Sequence, residues 1–177
     1  MQCYDFSMSK RRIFDNQRFV HFITFSCYQN RQHLSLDDAK RRLLGSLNHS
    51  LVQHQGICVG FVIMPDHVHS LIWFHEINQL SSFMRDWKRS SSRSIKLYLQ
   101  NLAAYKKTFP VEDPIWQKRY YSFEIESDNK IEEKMAYMHL NPVKKGIVCK
   151  TIDWRWSSAR HYESGKSVGV PFGWPEN

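Results

Sequence analysis

The spacing of hydrophobic and polar positions changes along the chain, and each change marks a predicted element. Arg18 to Cys27 reads RFVHFITFSC, an aromatic and β-branched run that predicts a buried strand. The segment from Ser35 to Asp38 resembles a helix start, and leucines then recur at helical spacing as far as Leu51. Gly56 is the expected stop of this helix.

Two further strand-like runs come next, and they predict a hairpin. Ile57 to Met64 and His67 to Phe74 are both apolar and are separated only by the turn dipeptide Pro65-Asp66. Such a short connection favours antiparallel pairing. Pro65 has no backbone donor, so we expect it at the edge of the pairing.

The second half of the chain predicts two helices around a fourth strand. Residues 77 to about 105 carry a long amphipathic pattern, interpreted as one helix with a break allowed at residues 90–92. Residues 120–125 predict the strand, and residues 131 to about 140 predict the second helix. Asn141-Pro142 is expected to end or kink it, because the residue before proline disfavours the α region.

The order β-α-β-β-α-β, followed by a further helix, predicts an α+β fold of the ferredoxin-like split βαβ type. We expect an antiparallel sheet with helices on one face. The length of 177 residues suits a single domain over 1–177. Residues 1–15 are expected to form a loose N-terminal arm, and residues 150–177 a C-terminal helical extension.

Composition adds a class of partner. The net charge of +8 favours a polyanion such as nucleic acid, although a solvated basic surface without a special partner explains it equally well. The four cysteines lack C-x-x-C spacing, so a zinc ribbon is not indicated, and reduced thiols in a cytoplasmic protein are expected. No apolar run approaches the roughly 20 residues of a membrane span, and the chain starts without a signal-peptide pattern.

Candidate chemistry begins with His67 and His69, two residues apart on a predicted strand. Alternate strand residues share a face, so both imidazoles can bind one divalent ion while Val68 points to the other side. A bare H-x-H pair is more often two ordinary histidines. The hydrophobic surround, IMPDHVHSLIW, favours the metal site, because an HUH motif has a bulky hydrophobic residue between its histidines.

A second candidate group lies in the string AYMHLNPVKKGIV. Tyr137 and Asn141 are four residues apart and share a helix face if the helix persists. The phenol can then attack a metal-bound phosphate while the Asn141 amide oxygen completes a shell suited to Mg²⁺ or Mn²⁺. The alternatives are a buried core tyrosine and a plain helix-ending turn. His139 is expected to face away from Tyr137.

Four strings occur in order: MPDHVH, WQKRYY, YMHLNPVKKGIV and WRWSSARHY. Together they resemble REP-associated tyrosine transposases, which are relatives of the single-tyrosine HUH transposases of bacterial insertion sequences. The match covers about residues 19–162. It implies a ferredoxin-like nuclease core, with His67 and His69 as metal ligands, Tyr137 as nucleophile and Asn141 as third ligand.

The resemblance also implies a reaction. The expected activity is a metal-dependent endonuclease and strand transferase (a transposase) that acts on hairpin-containing single-stranded DNA with Mg²⁺ or Mn²⁺. Tyr137 would attack a phosphodiester to give a 5′-phosphotyrosine and a free 3′-OH, and a second 3′-OH could reverse the step without ATP. Whether the protein is a monomer or a homodimer stays open.

A basic and aromatic surface is expected to bind the DNA. The candidates for phosphate contacts are Arg85, Lys88, Arg89, Arg93, Lys144, Lys145, Arg155 and Arg160. The candidates for stacking on bases are Trp116, Tyr120, Tyr121, Trp154 and Trp156. At least half of these aromatics are expected to pack in the core instead, with Trp154 or Trp156 among them.

Two other functions compete with this one. An HUH replication initiator or relaxase often carries an attached helicase, but the chain has no G-x-x-x-x-G-K-[ST] string. A catalytically inactive module that binds single-stranded nucleic acid is the second, because RRM sheets share this topology. The chain lacks a clear aromatic RNP-like string with its glycines, which argues against that module.

Overall fold

Four strands form one antiparallel sheet in a computed structural model that describes residues 17–110, 112–166 and 169–175, without the Lys106 side chain. The arm predicted for residues 1–15 lies outside these residues. The strands are β1 (Val20–Ser26), β2 (Gly56–Ile63), β3 (His67–Phe74) and β4 (Tyr121–Ile125). Their spatial order is β2-β3-β1-β4, and every neighbouring pair is antiparallel.

Five α-helices accompany the sheet in the described chain. They are α1 (Asp37–Gln53), α2 (Leu80–Leu99), α3 (Ala103–Thr108), α4 (Asp128–Lys144) and α5 (Ala159–Ser164). The element order and the strand order confirm the predicted ferredoxin-like class. No helix of the described residues is long and apolar enough to cross a membrane.

The long helix predicted for residues 77–105 is shorter and unbroken at its serines. It runs through Ser90–Ser92 without interruption and ends at Leu99, and the short α3 takes up the rest of the pattern. The hydroxyl of Ser90 donates to Asp86 O at 2.8 Å, and that of Ser91 to Trp87 O at 2.6 Å. These hydroxyls bond back to the preceding turn, so they fit the helix instead of ending it.

The end predicted for the last long helix at residue 140 is wrong. Helix α4 starts at Asp128 and continues through Pro142 to Lys144. Proline removes only one backbone hydrogen bond here, close to the helix end. The Lys145 N–H still donates to Asn141 O at 3.0 Å, so the turn that contains Asn141 stays helical.

Helices cover both faces of the sheet, so the expectation of a single covered face is wrong. Helices α1 and α2 pack with Ile23, Phe25 and Ile72 on one face. Helix α4 packs with Phe22 and Leu71, which alternate with them on the other face. The central strands carry apolar residues on both sides, and both sides therefore need a covering layer.

The expected C-terminal extension pairs with the edge of β2 before it forms α5. The Ile63 N–H donates to Trp156 O at 2.8 Å, and the Ser158 N–H donates to Phe61 O at 2.9 Å. Trp156 is 3% exposed, which confirms the core role expected for Trp154 or Trp156. Its indole N–H donates to Asp37 Oδ1 at 2.9 Å, at the start of α1.

Replacing Trp156 with alanine is expected to lower the free energy of unfolding by about 3–5 kcal/mol, because a buried indole leaves a large cavity. Trp174 is the matched control, since it lies in the same C-terminal segment but is 38% exposed. We expect Trp174→Ala to cost less than about 1 kcal/mol. Urea unfolding of both variants measures the difference, and equal losses would contradict a core role for Trp156.

Candidate active site

The two histidines of β3 face the same side of the sheet. The ring centroids of His67 and His69 are 4.9 Å apart. Val68 between them is 1% exposed and packs into the cluster under α1 and α2. The shared face and the buried residue between the histidines, both predicted from strand alternation, are confirmed.

Each imidazole has a protein partner at its Nδ1 atom. His67 Nδ1 lies 2.6 Å from Asp66 Oδ1, and His69 Nδ1 lies 2.7 Å from Thr24 Oγ1. An ionised carboxylate only accepts, so Asp66 holds the proton of His67 on Nδ1 and leaves the Nε2 lone pair for a ligand. The Thr24 hydroxyl favours the same arrangement in His69 when it accepts from Nδ1.

Burial keeps His69 in its neutral form. The side chain is 7% exposed. Burial, and secondly the charge of neighbouring His67, lower the pKa of His69 to about 3. The neutral imidazole is the form that can donate a lone pair to a metal ion.

Helix α4 brings Tyr137 to this face. Its ring centroid lies 5.8 Å from that of His69 and 6.4 Å from that of Phe22. Tyr137 is 44% exposed, so the alternative of a buried core tyrosine is wrong. The Lys144 ammonium lies 5.6 Å from the centre of the same ring, and it places positive charge beside the phenol.

Asn141 follows Tyr137 by one turn of α4 and is 9% exposed. Its amide nitrogen donates to Tyr137 O at 3.4 Å, and its Oδ1 is the atom suited to a metal. His139 points elsewhere, as predicted, with Nε2 2.7 Å from Ser158 Oγ. Burial lowers the pKa of His139 to about 4.

The donor set limits what kind of metal can bind. Within residues 17–110, 112–166 and 169–175, no group of three or more His, Cys, Asp and Glu side chains can hold a metal ion. His67, His69 and Asn141 offer two imidazoles and one amide oxygen, so they could hold a divalent ion only if phosphate or water oxygens supplied its remaining ligands.

The basic residues predicted on α2 do not join this site. Arg85, Lys88, Arg89 and Arg93 lie on the helix that covers the opposite face of the sheet. Lys88 donates to the backbone oxygens of residues 117 and 118, and Arg85 and Arg89 both pair with Asp86. A groove of about 580 Å³ runs between α1 and α2, with lining residues that include Arg42, His49, Arg89 and Arg93.

The other predicted phosphate contacts lie closer to the histidine face or at the C-terminal segment. Lys144 and Lys145 are exposed at the end of α4. The Arg155 guanidinium lies 4.9 Å from the Trp156 ring and 3.9 Å from Asp37 Oδ2. Arg160 is half-buried on α5. Of these predicted phosphate contacts, Lys144 lies beside the Tyr137 ring.

Strand register separates the two consecutive tyrosines. Tyr121 pairs with Thr24, and Thr24 pairs with His69, so Tyr121 lies on the histidine face. Tyr120 is half-buried against the cluster on the other side. Trp116 is also in that core and donates to Ser91 Oγ at 3.0 Å. The sequence pattern had not singled out Thr24, since its role depends on the pairing of β1 with β3.

Comparisons with known proteins identify the family of this chain. A family model described as "Transposase IS200 like" matches residues 16–141. A Haemophilus influenzae protein named as a REP-associated tyrosine transposase is 28% identical over 105 residues. That match covers 56% of this chain and 57% of the relative, so the chain spans little more than half of the relative's length.

Two solved structures share the fold. One is described as a REP-associated tyrosine transposase bound to a REP hairpin; its TM-score is 0.69 and its identity 22%, over 96% of this chain and 93% of that chain. The other, a transposase from Deinococcus radiodurans, has a TM-score of 0.50 and 17% identity, over 73% of this chain and 95% of its own. The resemblance expected from the motifs is confirmed, and the chain belongs to the IS200-like transposase family.

Proposed function

We propose that this protein is a metal-dependent tyrosine endonuclease and strand transferase that acts on hairpin-containing single-stranded DNA in the cytoplasm. The observation that carries the proposal is the exposed phenol of Tyr137 beside His69 and His67 on one face of the sheet. Family membership supports the reaction class. The relative's name and the REP hairpin in the similar solved structure support the substrate class.

In the proposed reaction, Tyr137 Oη forms a bond to phosphorus while the P–O3′ bond breaks. The phenol loses its proton and the leaving 3′ oxygen gains one, which gives a 5′-phosphotyrosine and a 3′-OH. A bound Mg²⁺ or Mn²⁺, held by His67, His69 and Asn141, would polarise the phosphate and neutralise developing charge. Attack by another 3′-OH on the phosphotyrosine reverses the step and joins strands.

Residues around the nucleophile have supporting roles in this proposal. The Lys144 ammonium beside the Tyr137 ring can pair with a phosphate of the DNA that is presented to the phenol. Phe22 contacts both Tyr137 and His69, with ring centroids at 6.4 Å and 5.5 Å, and keeps the nucleophile and one ligand at a fixed separation. Phe22 itself is 5% exposed and belongs to β1, a central strand of the sheet.

Arg89 and Arg93, on the opposite face of the sheet from Tyr137, remain proposed DNA contacts of a different kind. Arg89 and Arg93 line the groove between α1 and α2, on the side of the sheet away from Tyr137. They can therefore bind phosphates of a more distant part of the same DNA, but not the cleaved phosphate. Contacts of this type raise affinity without reading sequence and weaken with salt.

Incubation of the full chain with fluorescent hairpin-bearing single strands and MnCl₂, followed by a denaturing gel, tests the proposed function. A labelled band at the mass of a protein–DNA adduct is the expected result. An oligonucleotide that binds under native conditions but never forms an adduct would instead favour the inactive binding module. Omitting MnCl₂ and adding EDTA serves as the control for metal dependence.

Thr24→Val and Asp66→Ala are expected to weaken Mn²⁺ binding on the order of 10–100-fold, as loss of a partner behind a ligating imidazole generally does. Each change removes the oxygen that orients Nδ1 of one histidine. Calorimetric titration with Mn²⁺ measures the effect without any DNA. Ser70→Ala is the matched control, since Ser70 is a buried hydroxyl on β3 that points to the opposite face. Unchanged affinity in both variants would contradict these roles.

A further inference from the structure

We propose that Tyr121 is a stacking platform for one unpaired base of the DNA strand whose phosphate is presented to Tyr137. The position of that phosphate near Tyr137 rests on the proposed function, whereas stacking of a base on the Tyr121 ring requires only that the DNA binds. Tyr121 lies on β4, at one edge of the described sheet, and is 36% exposed.

Strand register sets the distance between this tyrosine and the histidines. Tyr121, Thr24 and His69 stand directly opposite one another on β4, β1 and β3, so their side chains project from the same face. Neighbouring strands are about 4.8 Å apart, which places the backbones of Tyr121 and His69 roughly 10 Å apart. A base can rest on the tyrosine while a phosphate of the same short strand reaches the histidines.

Aromatic rings connect Tyr121 to the nucleophile without interruption. The Tyr121 and Phe123 centroids are 5.7 Å apart, and Phe123 lies 5.2 Å from Phe22. Phe22 in turn contacts Tyr137 at 6.4 Å. Phe22 is buried and Phe123 is half-buried, so they form the floor on which the more exposed rings at either end are held.

Positive charge borders this aromatic floor on the side of α4. The Lys144 ammonium lies 5.6 Å from the centre of the Tyr137 ring, and the Lys134 ammonium, which also pairs with Glu133 at 3.0 Å, lies 5.7 Å from that of Phe123. A surface that alternates π faces with cations matches single-stranded nucleic acid, whose bases stack while its phosphates pair with the lysines. Bases inside a duplex are already stacked and cannot use it, so the occupant is an unpaired base.

A purely structural role for Tyr121 makes a different prediction. Tyrosine is a common edge-strand residue because it fits a half-buried pleated surface. In that case its replacement would change stability, and any loss of DNA binding would not depend on whether the probe carries bases. A stacking role makes the loss depend on the bases themselves.

The experiment compares two 12-nucleotide probes with the same number of phosphates. One is dT12, and the other is an abasic 12-mer with tetrahydrofuran in place of each nucleoside. Affinities are measured by fluorescence anisotropy in a Tyr137→Phe background, so that no covalent product forms. Tyr121→Leu keeps an apolar side chain but removes the ring, and Tyr121→Phe is the matched control that keeps the ring.

Tyr121→Leu is expected to lose about tenfold in affinity for dT12, the usual effect of removing one stacked ring. Its affinity for the abasic 12-mer should be unchanged, and Tyr121→Phe should bind both probes like the parent. Equal loss for both probes, or no loss for either, would overturn the proposal. Failure of the chain with intact Tyr137 to form an adduct would count against the proposed function alone, since this comparison needs no cleavage.

Discussion

Tyr137→Phe is expected to abolish covalent capture of a single-stranded oligonucleotide while native binding stays nearly intact. Phenylalanine keeps the ring that contacts Phe22 and His69 and removes only the oxygen that would bond to phosphorus. The position is 44% exposed, so the change leaves no cavity in the core. A denaturing gel measures capture, and a native titration of the same variant measures binding.

Tyr162→Phe is the matched control for this variant. Tyr162 is 43% exposed, close to the value for Tyr137, but it lies on α5, where its hydroxyl donates to Val59 O. It should form the adduct at the normal rate. An adduct that survives in Tyr137→Phe would show that another residue is the nucleophile, and the proposed roles of the surrounding groups would have to be revised.

His67→Ala is expected to remove cleavage that depends on Mg²⁺ or Mn²⁺, down to the level seen with EDTA. One of two imidazole donors is lost, and with it the anchor of the ion that would polarise the scissile phosphate. His67 is the better choice for truncation because its side chain is 17% exposed, whereas His69 is more buried and stacks on Phe22. The fold should therefore tolerate the change at position 67.

The rate of adduct formation across a series of MnCl₂ concentrations measures this effect. His75→Ala is the control, because His75 is an exposed histidine just after the other end of β3. Its response to manganese should match that of the unmodified chain. If His67→Ala cleaves as fast as the unmodified chain at every concentration, the proposed metal site is wrong.

What the sequence predicts well is whatever depends on local periodicity. The two histidines share a face because alternation along a strand is a property of the extended backbone, whatever the strand pairs with. The one-turn separation of Tyr137 and Asn141 likewise needs only a helix. These two local patterns already identify most residues of the candidate site, whereas the contact between Tyr137 and the histidines depends on how α4 packs on the sheet.

The sequence does not predict features that depend on strand register or on which face of the sheet a helix covers. The strings around Tyr120 and Tyr121 permit either residue to face the site, and a shift of one residue exchanges them. The pattern on α2 correctly predicts that Arg89 and Arg93 are exposed, but an amphipathic pattern does not predict which side of the sheet the helix covers. Only the packed structure assigns those arginines to the far side.

Helix α4 lies over the sheet of its own chain, so each polypeptide carries its own Tyr137 beside its own histidines. This arrangement limits how many DNA ends one polypeptide can hold covalently. With Tyr137 as the only nucleophile of the proposed site, each polypeptide holds at most one DNA end covalently at any moment. Two ends that must be retained together therefore occupy two polypeptides, whereas ends handled one after the other need only one. At saturation, the molar ratio of covalently held DNA ends to protein chains cannot exceed one.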